Sequence, residues 1–176
     1  MKTIRQTIFS VTVLLLLPTL VGAQEPEVTL EFNNSKTAMQ TMQQYVKALH
    51  DGDVNAMGAQ LTNDVIVFGL GGGSVTDSLN LGQHREYFTN STSSYDHTMG
   101  NMLYLPVKVT NNWNAGEWML AWGVNTLRNK ETGKEVAVPF HLAALVDQGK
   151  IARLNFYYDT MNIMTSQGYS IQEPTK

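Results

Sequence analysis

The sequence predicts an α+β fold, a curved, mixed but mostly antiparallel sheet covered by three N-terminal helices, and three observations carry that prediction. Before Tyr95 apolar residues recur at three- and four-residue steps; after it come four long segments with period-two alternation; turn residues separate those segments. Helices first and a meandering sheet afterwards is the α+β order, in which the helices cover one sheet face.

The chain opens with Lys2 and Arg5, the apolar run Val11-Thr-Val-Leu-Leu-Leu-Leu17 and the small residues Val21-Gly-Ala23. Basic, then apolar, then small is the order of a secretory signal peptide, with cleavage expected after Ala23. The apolar part is well short of the roughly 20 residues that span a bilayer. Residues 1–23 are therefore expected to be removed, leaving a secreted or periplasmic protein with no membrane partner. Of the 176 residues, 153 remain after the first 23 are gone, the size of one ordinary domain. Residues 24–34 are a polar, proline-containing lead-in expected to be loose, and a single domain fills 35–176.

From there Ala38, Met42, Tyr45, Val46 and Leu49 mark an amphipathic helix, with Ser35 as its expected cap. His50-Asp-Gly-Asp53 breaks it. Asp53 is placed to cap a second, shorter helix carrying Met57 and Leu61, and Asn63-Asp64 turns into the strand Val65-Ile-Val-Phe68. The run Gly69-Leu-Gly-Gly-Gly73 lacks a Gly-Lys-Ser/Thr ending and the strand-turn-helix dinucleotide pattern, so it reads as a loop at a pocket rim. A third short helix is expected around Gly82 to Phe88, with His84 and Arg85 on its solvated side.

Strands are expected at 96–111, 117–128, 135–147 and 151–159. In the second, Trp118, Leu120, Trp122 and Val124 share one face, expected to build the apolar interior, and Met119, Ala121, Gly123 and Asn125 share the other. The last two strands form a hairpin through Asp147-Gln-Gly-Lys150, and His141, Asn155, Tyr157 and Asp159 sit among its core-building residues. Polar groups in a buried sheet need partners or a ligand, so this hairpin points to a lined pocket. Arg153, Asn155, Tyr157 and Asp159 share one face and Ala152, Leu154, Phe156 and Tyr158 the other. Alternation leaves open which of the two is concave, and a one-residue slip exchanges them.

Composition narrows the chemistry. After loss of the leader, ten basic residues face 15 acidic ones, so neither nucleic acid nor an anionic membrane is expected as a partner. The absence of cysteine removes a disulfide framework, a thiol nucleophile and every thiolate metal site. The histidines at 50, 84, 97 and 141 have no tight metal-ligand spacing, and there is no serine nucleophile elbow. No metal and no cofactor are expected.

Four short pieces carry a resemblance: Gln44-Tyr-Val-Lys-Ala-Leu-His-Asp-Gly-Asp53, Leu61-Thr-Asn-Asp-Val65, Gly82 through Phe88, and Val138-Pro-Phe-His141 leading to Gly149-Lys-Ile151. In this order and spacing they resemble the superfamily of ketosteroid isomerases, SnoaL-like polyketide cyclases and nuclear-transport-factor-2-like proteins, over nearly the whole mature chain. The resemblance implies a cone-shaped domain whose helices close the wide end and leave an apolar cavity for a small hydrophobic molecule. A homodimer through the outer face of the sheet is also expected.

Ketosteroid isomerase pairs an aspartate base with an oxyanion hole of a tyrosine and a protonated aspartic acid. Carried over by resemblance, the tyrosine falls on Tyr45 and the acid on His141. The base falls on Gly69, which cannot move a proton. Tyr157-Tyr-Asp159 is similar to the polyketide-cyclase branch, where an aspartate of the C-terminal strand works with a histidine on the preceding strand, and this offers Asp159 as base. Trp118, Trp122, Asn155 and Tyr157 are the candidate ligand wall. Two functions follow: an enzyme moving a proton on a small apolar carbonyl or epoxide-like compound through Tyr45, His141 and Asp159, or a non-catalytic domain that binds a hydrophobic ligand or a protein partner.

Overall fold

The structure, a computed structural model of the chain, describes residues 28–70, 77–170 and 172. The expected signal peptide, residues 24–27 and the glycines at 71–73 lie outside the described residues. A short strand β1 (Val28–Thr29) precedes helices α1 (Ser35–Asp51) and α2 (Val54–Ala59). Strands β2 (Leu61–Phe68) and β3 (Ser78–Leu79) lead to helix α3 (Leu81–Ser94). Four long strands follow, β4 (Tyr95–Val109), β5 (Gly116–Asn129), β6 (Glu135–Asp147) and β7 (Lys150–Tyr158), and then helix α4 (Thr160–Ser166). The strands form one sheet in the order β1-β4-β5-β6-β7-β2-β3. In it β2 runs parallel to β7 and the other neighbours are antiparallel, which is the expected α+β class.

Local chemistry sets the element ends. Helix α1 buries Ala38, Met42, Tyr45, Val46 and Leu49, and stops where Gly52, at φ +71°, turns its N–H to the Leu49 carbonyl (3.1 Å). Asp53 Oδ1 accepts the Ala56 N–H at 2.9 Å and starts α2. Asn80 and Gln83 close a capping box on α3, each side chain accepting the other's backbone N–H at 3.0 Å.

Several expectations shift. The residue before α1 is Asn34 rather than Ser35, and its amide donates to Glu117 Oε2 (3.3 Å) instead of capping the helix. Leu61 opens β2 rather than extending α2. The lead-in is paired from Val28 onward, because Val28 and Thr29 sit opposite Val109 and Lys108 on β4. His84 is fully buried, not solvated.

The core lies on the sheet face that α1 crosses, where Met119, Ala121, Leu142, Ala144 and Leu154 are buried against Met42, Tyr45 and Met57. That overturns the expected direction of β5: the Met119–Asn125 set points inward, and Trp118, Leu120, Trp122 and Val124 point outward. The physical reason is space. A helix lying across strands needs small residues beneath it, and Ala121 and Ala144 supply them, while Gly123 makes room for Met102 of β4, whose Sδ would stand 2.3 Å from a Cβ there. In β4 a bulge between Gly100 and Leu103 reverses the alternation, so His97 and Met99 face inward before it and Leu103, Leu105 and Val107 face outward after it.

Candidate functional site

Between α3 and the inner face of β4, β5, β6 and β7 lies a cavity of about 140 Å³. Leu49, Leu70, Phe88, Met99, Phe140 and Phe156 supply much of its apolar wall. Its polar atoms come in two groups. Tyr87 on α3 and Tyr158 on β7 form one, their hydroxyls 3.0 Å apart. Ser91, His97 and Asn125 form the other.

The second group follows from how α3 meets β4. Tyr87, Phe88 and Ser91 lie on one face of the helix, at three- and four-residue spacing. The strand starts directly at Tyr95, so Ser91 and His97 face each other across the junction, with Ser91 Oγ 3.1 Å from His97 Nε2. Register places Asn125 opposite Met99, one diagonal step from His97, and its Nδ2 lies 3.0 Å from His97 Nδ1. Both ring nitrogens of His97 are thus held. Burial pushes His97 down to about 4, Lys130 adds to the fall, and the Asn125 hydrogen bond and Asp96 oppose it. At neutral pH the ring is an uncharged base. Asn125 Oδ1 is buried with no hydrogen-bond partner among the described residues.

The residues named from sequence go elsewhere, and none of them lines this cavity. Tyr45 is fully buried in the core with its hydroxyl 2.8 Å from His84 Nε2, and burial raises its pKa. His141 lies on the outer face, stacked on Trp122 (ring centroids 4.6 Å, planes 2° apart) and on Tyr157 (5.5 Å, 24°). Asn155 and Tyr157 share that outer face, and Trp118 lies there too, its Nε1 donating to the Asn114 carbonyl at 2.8 Å. Asp159 is the N-cap of α4, accepting the Asn162 N–H at 2.9 Å. The structure therefore brings His141, Trp122 and Tyr157 together, but on the side of the sheet away from the cavity. The acid–base set of Tyr45, His141 and Asp159 is not assembled.

Gly69 explains the missing isomerase base. Its φ is +85°, and a Cβ there would stand 2.1 Å from the Phe156 carbonyl oxygen. The backbone itself fills the position where an aspartate would have to sit. In sequence, the signals for the observed site are the small residues Ala121 and Gly123 sharing a face with Asn125, and a serine and a histidine straddling a helix-to-strand junction.

Neither a protein-family model nor a curated protein matches the chain. Solved structures do. A candidate polyketide cyclase from Xanthomonas campestris pv. campestris is 20% identical, with 76% of this chain and 98% of that one covered and a TM-score of 0.60. An NTF2-like protein from Burkholderia xenovorans LB400 is 15% identical over 78% and 98%, with a TM-score of 0.58. A protein of ketosteroid-isomerase-like fold from Catenulispora acidiphila DSM 44928, in complex with trimethylamine, is 15% identical over 74% and 94%, with a TM-score of 0.55. The chain has the fold of these proteins, the α+β cone that the resemblance implies.

Proposed function

We propose that the protein binds a small, mostly apolar molecule in the cavity and moves a proton on it, with neutral His97 as the base. The observation that supports this reading is a buried imidazole held at both nitrogens at the polar end of an apolar cavity. A general base needs a lone pair, a fixed ring and reach to the substrate. The Tyr87–Tyr158 pair complements it: one hydroxyl donates to the other, and the acceptor's own hydrogen is free for a substrate oxygen. A dry apolar cavity of roughly 150 Å³ holds benzene, so the ligand class is a compact ring or short chain carrying one carbonyl.

The test is loss of the α-hydrogens of cyclopentanone in D2O, followed by proton NMR. Exchange above the buffer rate is expected from the wild type and is expected to be lost in His97→Gln. No exchange from a folded wild type, together with saturable binding of the ketone, would establish the alternative reading, a non-catalytic binding domain. That alternative draws support from the absence of any carboxylate among the described lining residues.

Two further parts of the reading rest outside the cavity. The outer face, with Leu103, Trp122, Tyr157 and Ile66, is apolar enough to take a second copy of the chain, which supports a homodimer. Export rests on the leader, and sequencing of the mature N-terminus is expected to read from Gln24.

A further inference from the structure

We propose that Ser91 is a nucleophile, and that Ser91, His97 and Asn125 form a nucleophile–base–orienter relay that hydrolyses small, uncharged acyl esters. The inference shares the cavity with the proton-transfer reading but not its chemistry. It rests on three observations. Ser91 Oγ is 3.1 Å from His97 Nε2, within the reach that lets a base take a hydroxyl proton. His97 Nδ1 is 3.0 Å from the Asn125 amide, the place that an asparagine holds in the cysteine–histidine–asparagine version of such a relay. All three side chains line the cavity, so the serine faces the space a substrate would occupy.

The unpartnered amide oxygen adds to this. With Asn125 Nδ2 toward His97 Nδ1, the histidine carries its proton on Nε2 and donates to Ser91, while Oδ1 stays buried without a partner. Turning the amide over lets Oδ1 accept the Nδ1 proton, moves Nδ2 into the unpartnered place, and exposes the Nε2 lone pair to the serine hydroxyl. The turned state is the reactive one.

The step balances without any co-reactant but water. Ser91 Oγ forms a bond to the acyl carbon as its proton passes to His97 Nε2, and the carbonyl electrons move onto oxygen. The carbonyl re-forms, the C–OR bond breaks, and the alcohol leaves with the proton from Nε2. Water then attacks the acyl-serine, giving its proton to Nε2, and the acid leaves as Oγ recovers that proton. Tyr87 stands one turn before Ser91 on α3, about 6 Å along the axis at 1.5 Å per residue. The spare hydroxyl hydrogen of its pair with Tyr158 is the donor available to the oxyanion.

The experiment treats the wild-type protein with a short-chain alkyl fluorophosphonate and reads intact mass and peptide maps. One adduct is expected, on Ser91, absent in Ser91→Ala and forming at least tenfold more slowly in His97→Gln. Hydrolysis of 4-nitrophenyl acetate is expected to fall at least a hundredfold in Ser91→Ala. Because the adduct is mapped on the wild type, the test stands even if a variant fails to fold. No adduct on folded protein, or an adduct on another residue, overturns the nucleophile. Ketone exchange without an adduct sinks the nucleophile and leaves the proton-transfer reading; an adduct without exchange does the reverse.

Discussion

Two histidines sit on opposite faces of one sheet, and their surroundings differ in kind. His97 on the inner face has a hydrogen-bond partner at each ring nitrogen and borders a cavity. His141 on the outer face lies flat between Trp122 and Tyr157, its Nε2 buried without a partner among the described residues. The first is oriented by directional bonds, as a reacting group must be. The second is packed like an aromatic, as an interface residue is. What marks a site here is the set of partners a residue keeps, not its type or its place in a family motif.

The largest effect expected to sharpen the contrast is on stability at low pH. His84, with Tyr45 and Arg85 about it, and His97, with Lys130 and Asp96, are both lowered from 6.5 to about 4, chiefly by burial. Between those values the unfolded chain takes up protons that the folded chain refuses. Stability should be full above pH 6.5 and fall as pH drops toward 4, by up to about 3 kcal/mol for each histidine. Urea unfolding at pH 7.5 and pH 4.5 measures the difference, and a flat profile would show that neither ring is held neutral.

Next in size is Gly69→Asp, which puts a carboxylate where ketosteroid isomerase keeps its base. With φ at +85° and the Phe156 carbonyl in the way, it is expected to destabilise the fold by about 3 kcal/mol or more and to restore no isomerase activity. Urea unfolding and an assay of double-bond migration in a β,γ-unsaturated ketone report the two effects. Unchanged stability would mean that the β2–β7 approach is looser than the structure has it.

The fold was legible in the sequence because periodicity sees elements. Ala38 to Leu49 gave a helix, Asp53 a cap, and the alternation after Tyr95 gave strands. The face was not legible, since alternation is symmetric and the bulge after Gly100 reverses it partway along β4. Large aromatics suggested a core, yet Trp118 and Trp122 pack on the outer face because the helix-covered face needs Ala121, and Gly123 leaves room for Met102. The site was missed for the same reason. Choosing His141 over His97 is a choice of face, and His84, expected on the solvated side, is buried against Tyr45.

A third effect is kinetic. His97→Gln should slow cavity chemistry about a hundredfold, within the usual range for a general base, whereas His141→Gln should leave the rate within about twofold. Equal losses in the two variants would erase the distinction between the faces. The smallest effect concerns assembly: Trp122→Glu should weaken a homodimer at least about tenfold while leaving cavity chemistry in place. Sedimentation at graded concentration reads it, and a wild type that is monomeric throughout would remove the dimer.

The most direct measurement is the long-range imidazole nitrogen–proton NMR spectrum at pH 7, recorded with and without cyclopentanone. His97 is expected to be neutral, with one ring nitrogen protonated, and its resonances should move on ketone addition while those of His141 stay put. Ketone-dependent shifts at His141 with His97 unmoved would place the ligand on the outer face and contradict the inner-face site.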